Sequence, residues 1–86
     1  MDEHQTKVYE RIRRILARML KLKEEAIRPT SHLQSDLRVD SLDVLEIVNR
    51  MEEEFQIQDP TDELPTVNTV QDIVDFVDGM LRLKEK

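Results

Sequence analysis

Val8, Ile12, Ile15, Leu16, Met19 and Leu20 recur at i, i+4, i+7, i+8, i+11 and i+12, one apolar stripe at the helical period. This predicts a helix over about residues 3–22. From Lys23 to Val39 the rhythm is lost, and Pro29, Thr30 and Ser31 mark a long connection whose Ile27, Leu33, Leu37 and Val39 should tuck against the core. Loops this long are uncommon in small domains and often carry function. Asp40 is placed as an N-cap, with Asp43 where a capping-box acid would sit, and the chain then runs without Gly or Pro to about Gln56 as a second helix. Pro60 and Pro65 bracket residues 61–64, room for about one turn of a short third helix. Thr69 caps a last helix with Asp72 at its third position. Val70, Ile73, Val74, Val77 and Leu81 form its stripe, Gly79 is placed to end it or its regular part, and Lys84 and Lys86 suit the negative end of its dipole. The pattern predicts an all-α domain, with no internal repeat.

The second helix has two faces. With Ser41 at zero and about 100° per residue, Val44, Ile47, Val48, Met51 and Phe55 fall between roughly 240° and 340°, facing the core. Leu42 and Leu45 lie near 100° and 40°, among Glu46, Asn49, Glu52 and Glu53. Single exposed leucines are ordinary. Two beside Ser41, framed by carboxylates, read as a small docking patch for a basic partner with an apolar socket. Ser41 sits where free amides and the dipole favour a phosphate; taken alone, a serine in the first turn of a helix equally has a plain structural role.

Composition narrows the function classes. Eighty-six residues, 38% apolar and 37% charged with one Gly, can bury one small core, so a single domain over residues 1–86 is expected. Cysteine is absent, so any thiol chemistry must be imported. No run is apolar enough for a signal segment or membrane span, which makes a cytoplasmic location the expectation. The net charge of -6 is uneven: residues 1–28 carry eight Lys/Arg against five Asp/Glu, and residues 29–80 carry two against thirteen. Such a field disfavours nucleic acid and anionic membrane and favours basic protein surfaces, although an acidic surface also simply aids solubility.

The run Asp36-Leu37-Arg38-Val39-Asp40-Ser41-Leu42-Asp43, continuing through Val44-Leu45-Glu46-Ile47-Val48 to Met51-Glu52-Glu53-Glu54-Phe55, closely resembles the phosphopantetheine attachment region of acyl carrier proteins. The likeness spans most of the chain, including the Thr69-Val70-Gln71-Asp72 start of the last helix. It implies a four-helix bundle of three long helices and a short third, with a long loop between the first two. It further implies that Ser41, flanked by Asp40 and Leu42, receives 4'-phosphopantetheine from coenzyme A, whose thiol then carries acyl groups as thioesters. Asp40, Leu42, Asp43, Leu45, Glu46, Asn49 and Glu53 would meet basic, partly apolar partners: a phosphopantetheinyl transferase and acyl-loading, condensing and acyl-transfer enzymes. Val44, Ile47, Val48, Met51, Phe55, Ile73 and Val77 would help line a core able to open around an acyl chain. The implied protein is a monomeric carrier and not an enzyme.

Three departures bear on the partner set. Arg38 stands where the family usually has Gly, adding a cation beside the site and forbidding any backbone conformation that only glycine adopts easily. Asn49 and Arg50 replace the common Met and Ala, and Gln58-Asp59-Pro60 with Pro65 alters and shortens the approach to the third helix. These point to a specialised fatty-acid, lipid or polyketide-type pathway. Rival classes fit less well. A calcium loop starting at Asp36 would put Arg38 at a ligand position, Ser41 at the glycine and Ile47 at the bidentate glutamate. A hydrolase would need a base for Ser41, and neither His4 nor His32 is tied to it by a motif. The closest alternative is an unmodified adaptor that keeps the fold and binds protein.

Overall fold

The computed structural model describes residues 2–58 and 66–84. Among the described residues there are three α-helices, α1 (Glu3–Leu20), α2 (Ser41–Phe55) and α3 (Val70–Lys84), and one 3-10 turn at Glu24–Ala26. The short third helix expected at 61–64 lies outside the described residues. Each long helix begins at a side-chain cap. Asp2 accepts from the Gln5 amide at 2.8 Å, and Asp40 and Asp43 form a reciprocal capping box. Thr69 and Asp72 do the same for α3, at 3.2 and 3.0 Å. Satisfying the free amides of a first turn in this way fixes where each helix starts.

The helices meet along their apolar stripes. Val8, Ile12 and Leu16 of α1, Ile47, Val48, Met51 and Phe55 of α2, and Val70, Ile73, Val74 and Val77 of α3 are buried, whereas Val44, Phe76 and Leu81 are partly so. Ile27, Leu33, Leu37 and Val39 of the long connection are buried with them, as their spacing predicts. Burying each such side chain contributes about 1.5–3 kcal/mol, so the connection is part of the core. Its backbone is also stitched to the entry of α3: the Leu33 amide donates to Asn68 O at 2.8 Å and the Val70 amide to Ser31 O at 3.1 Å, around an isolated antiparallel bridge between His32 and Thr69.

Three local expectations are corrected. Helix α1 stops at Leu20, because Lys21 turns left-handed (φ 57°) and its amide reaches back to Ala17 O. Gly79 ends nothing: α3 continues to Lys84, held past the glycine by Arg82, whose Nε donates to Asp78 at 3.0 Å, and by Lys84 Nζ, which donates to Gln56 O at 2.9 Å. Arg38 adopts the left-handed conformation (φ 59°) that its side chain was expected to forbid. The reason is packing. Leu37 and Val39 on either side are both buried, with their amides bound to His32 O and Leu33 O, so the chain reverses at Arg38 despite a cost of about 1–2 kcal/mol. No helix among the described residues is long and apolar enough to cross a membrane.

Candidate functional site

The stitched connection delivers the chain to the N-terminus of α2, where Ser41 is the first helical residue and is exposed. Asp40 immediately before it has extended backbone; its Oδ1 accepts from the Asp43 amide at 2.9 Å, and Asp43 Oδ2 accepts from the Asp40 amide at 3.3 Å. The two carboxylates therefore hold the turn rigid while adding negative charge beside the hydroxyl. With the Asp43 amide capped and the Val44 amide bonded to Asp40 O, the amides of Ser41 and Leu42 are the ones left over from the first turn among the described residues. They and the positive end of the helix dipole suit a phosphate ester on the neighbouring Oγ.

The surface beyond Ser41 follows the two-faced pattern. Leu42 is 71% exposed and Leu45 44%, far above any core position, and Glu46, Asn49 and Glu53 are exposed around them. Asp43 is half-buried by its capping role. Leu42, Leu45, Glu46, Asn49 and Glu53 thus share an arc of about 100° on the exposed side of α2 with Ser41 at its edge, whereas Asp43 sits nearer the core side and Asp40 precedes the helix, both held in the capping box. Arg50 turns toward Glu54, with 4.0 Å between charged groups that are each about half exposed, and such a pair holds little energy.

A cleft of about 580 Å³ opens beside Ser41. Leu33 and Val39 of the connection and Val44 of α2 give it an apolar wall, and Thr66, Val67 and Asn68 close its other side. The last three were missed in the sequence; Val67, a lone apolar residue just before the Thr69 cap, was the available signal. His32 also lines the cleft, but among the described residues no hydrogen bond joins it to Ser41, and its amide donates to Asp36 at 2.7 Å. His4 lies elsewhere, against Asp78. Neither histidine is arranged as a base for the serine. Among the described residues no three His, Cys, Asp or Glu side chains converge as a metal site.

Two carboxyls have acidities shifted by their surroundings. Amides of Asn68 and Thr69 hold Asp72 below its ordinary value, outweighing its partial burial. At Asp78 burial pushes the acidity the other way, but hydrogen bonds from Gln5, Arg82 and His4 and the charge of Arg82 more than offset it, leaving the group below its ordinary value. Both groups act in the fold: Asp72 caps α3, and Asp78 ties α3 to the start of α1.

Residues 10–77 match the family model described as a phosphopantetheine attachment site. Among solved structures, an apo doublet acyl carrier protein from prodigiosin biosynthesis is 25% identical over 92% of this chain, with a TM-score of 0.76. This chain spans 38% of that protein's length. An acyl carrier protein from Thermotoga maritima, 22% identical, shares the fold at a TM-score of 0.79 over 95% of both chains.

Proposed function

The chain belongs to the phosphopantetheine attachment-site family, whose members are carriers and not catalysts, and on that premise we propose that Ser41 bears the 4'-phosphopantetheine and that residues 1–86 act as one acyl carrier domain. The observation that carries this reading is the exposed Ser41 hydroxyl at a capped helix start, beside an open cleft with an apolar wall. The residues present fit the group. When bound, it supplies the thiol that this cysteine-free chain lacks, on which acyl groups travel as thioesters. Asp40 and Asp43 hold the turn that presents Oγ, the Ser41 and Leu42 amides would hold the phosphate, and the cleft beside Ser41 would receive the arm.

Leu42 and Leu45, ringed by Glu46, Asn49 and Glu53, form the docking face for the transferase and for acyl-handling enzymes with basic, partly apolar surfaces. Arg38, Asn49 and Arg50 support a dedicated fatty-acid, lipid or polyketide-type pathway over a general one, in keeping with the likeness to a carrier from prodigiosin biosynthesis. A cytoplasmic location follows from this role. Acyl loading of the modified protein tests the reading: one acyl group, released by hydroxylamine and absent from Ser41→Ala, is the expected result. Partner binding that persists in Ser41→Ala, with no acyl group ever loaded on the wild type, would instead make the chain an unmodified adaptor.

A further inference from the structure

Helix α1 carries a second charged surface of opposite sign. Lys7, Arg11, Arg14, Arg18 and Lys21 follow one another at intervals of four, three, four and three residues. On α1 the first four fall within an arc of about 60°, turned away from Val8, Ile12 and Leu16, and Lys21 follows at the left-handed C-cap. All five are exposed. Arg11 is held at one edge, its guanidinium 4.3 Å from the centre of the Phe55 ring and its Nη2 donating to Glu54 O at 3.2 Å. Lys7, Arg14, Arg18 and Lys21 have no carboxylate within ion-pair distance among the described residues, although this chain carries an excess of acids. Among the described residues folding thus leaves a cationic stripe about 21 Å long that, apart from Arg11, has no internal counterpart.

The occupant follows from the charge pattern. A membrane-surface helix needs its apolar face free for lipid, and that of α1 is in the core. A nucleic acid would meet a chain of net charge -6. A carboxylate-bearing helix matches the stripe, and α2 of another copy is such a helix: Asp43, Glu46 and Glu53 fall within an arc of about 80° and span about 15 Å of it, with Asp40 at its cap. We infer that the α1 stripe of one copy docks on the acidic side of α2 of a second copy, a head-to-tail contact that assembles only at high protein concentration. Exposed ion pairs are individually weak, so the dissociation constant falls at about a millimolar and dilute protein stays monomeric. The contact covers the α2 docking face of the acceptor copy and so competes with partner enzymes. It does not depend on modification of Ser41.

The test is a concentration series of the isotopically labelled full chain followed by amide NMR shifts. Shifts that move with concentration in both α1 and α2 at about 0.01 M salt, where charges act over about 30 Å, and vanish at about 1 M salt are expected. Arg14→Glu/Arg18→Glu alone and Glu46→Lys/Glu53→Lys alone should each lose the concentration dependence at least tenfold, and mixing the two should restore it, which a folding defect would not allow. Shifts independent of concentration, shifts in α2 without α1, or charge-reversed variants that self-associate as the wild type does would each overturn the inference. Broadening that appears only on adding phosphatidylglycerol vesicles would overturn it too, assigning the stripe to an anionic lipid surface.

Discussion

Asp78 offers a sharp test of how the bundle is closed. It lies in the second half of α3, 5% exposed, and gathers three donors: His4 and Gln5 from the first turns of α1 and Arg82 one turn further along α3, with Gln5 Nε2 at 3.3 Å and Arg82 Nε at 3.0 Å. Arg82 also reaches Asp2 at 3.3 Å, so one cluster ties the start of the chain to its last helix. Replacing Asp78 by Asn keeps the shape but removes the charge and turns an N–H₂ toward donors. A hydrogen bond to a charged group contributes about 1.5–3 kcal/mol. His4 and Arg82 are 44% and 56% exposed at the side chain and regain water, which sets the expected loss near the low end, about 2 kcal/mol. At about 4–8 °C per kcal/mol, the midpoint should fall by about 8–16 °C. The pH dependence has a definite sign. Because folding holds the Asp78 carboxyl below its ordinary pKa of 3.8, its contribution is complete above that value and is lost as pH falls through the lower value of the folded state. Urea denaturation followed by circular dichroism should therefore show a gap between wild type and Asp78→Asn that is full at neutral pH and narrows below about pH 4. A gap under about 0.5 kcal/mol at neutral pH, or one unchanged in acid, would refute the reasoning.

Three further outcomes follow from the same contacts. Asp43→Ala opens the capping box of α2 and should cost about 1 kcal/mol in urea denaturation; a variant as stable as wild type would show that the box does not anchor the helix. Arg38→Gly relieves a left-handed residue at the expense of a looser unfolded chain, so it should raise the melting temperature slightly, by less than about 1 kcal/mol of stability, and a large loss would mean that the Arg38 side chain holds the loop. Glu46→Lys/Glu53→Lys should slow modification by a transferase at least tenfold with unchanged helical circular dichroism, and an unchanged rate would remove these acids from the docking face.

What could be read from the sequence depended on how local its cause was. The starts of α2 and α3 were legible because Asp40 with Asp43, and Thr69 with Asp72, complete their chemistry within four residues. The outward leucines were legible because helical period alone separates Leu42 and Leu45 from Ile47 and Met51. Gly79 misled because a glycine is only a local stop signal, while α3 is carried past it by Arg82 and Lys84 bonding to Asp78 and Gln56. The left-handed turn at Arg38 was hidden because it is imposed by the burial of Leu37 and Val39 and their bonds to His32 and Leu33. The cleft beside Ser41 depends on residues 66–68 returning alongside the connection, and Asp78 reads as one more surface acid until α1 is packed against it.

The carrier role rests on attachment of phosphopantetheine at Ser41. Intact mass after incubation with coenzyme A, magnesium and a broad-specificity phosphopantetheinyl transferase, with Ser41→Ala alongside, tests it most directly. A gain of one phosphopantetheinyl group in the wild type and none in the variant is expected. A folded wild type that gains nothing while another carrier is modified under the same conditions, or a Ser41→Ala variant that gains the group, would contradict it.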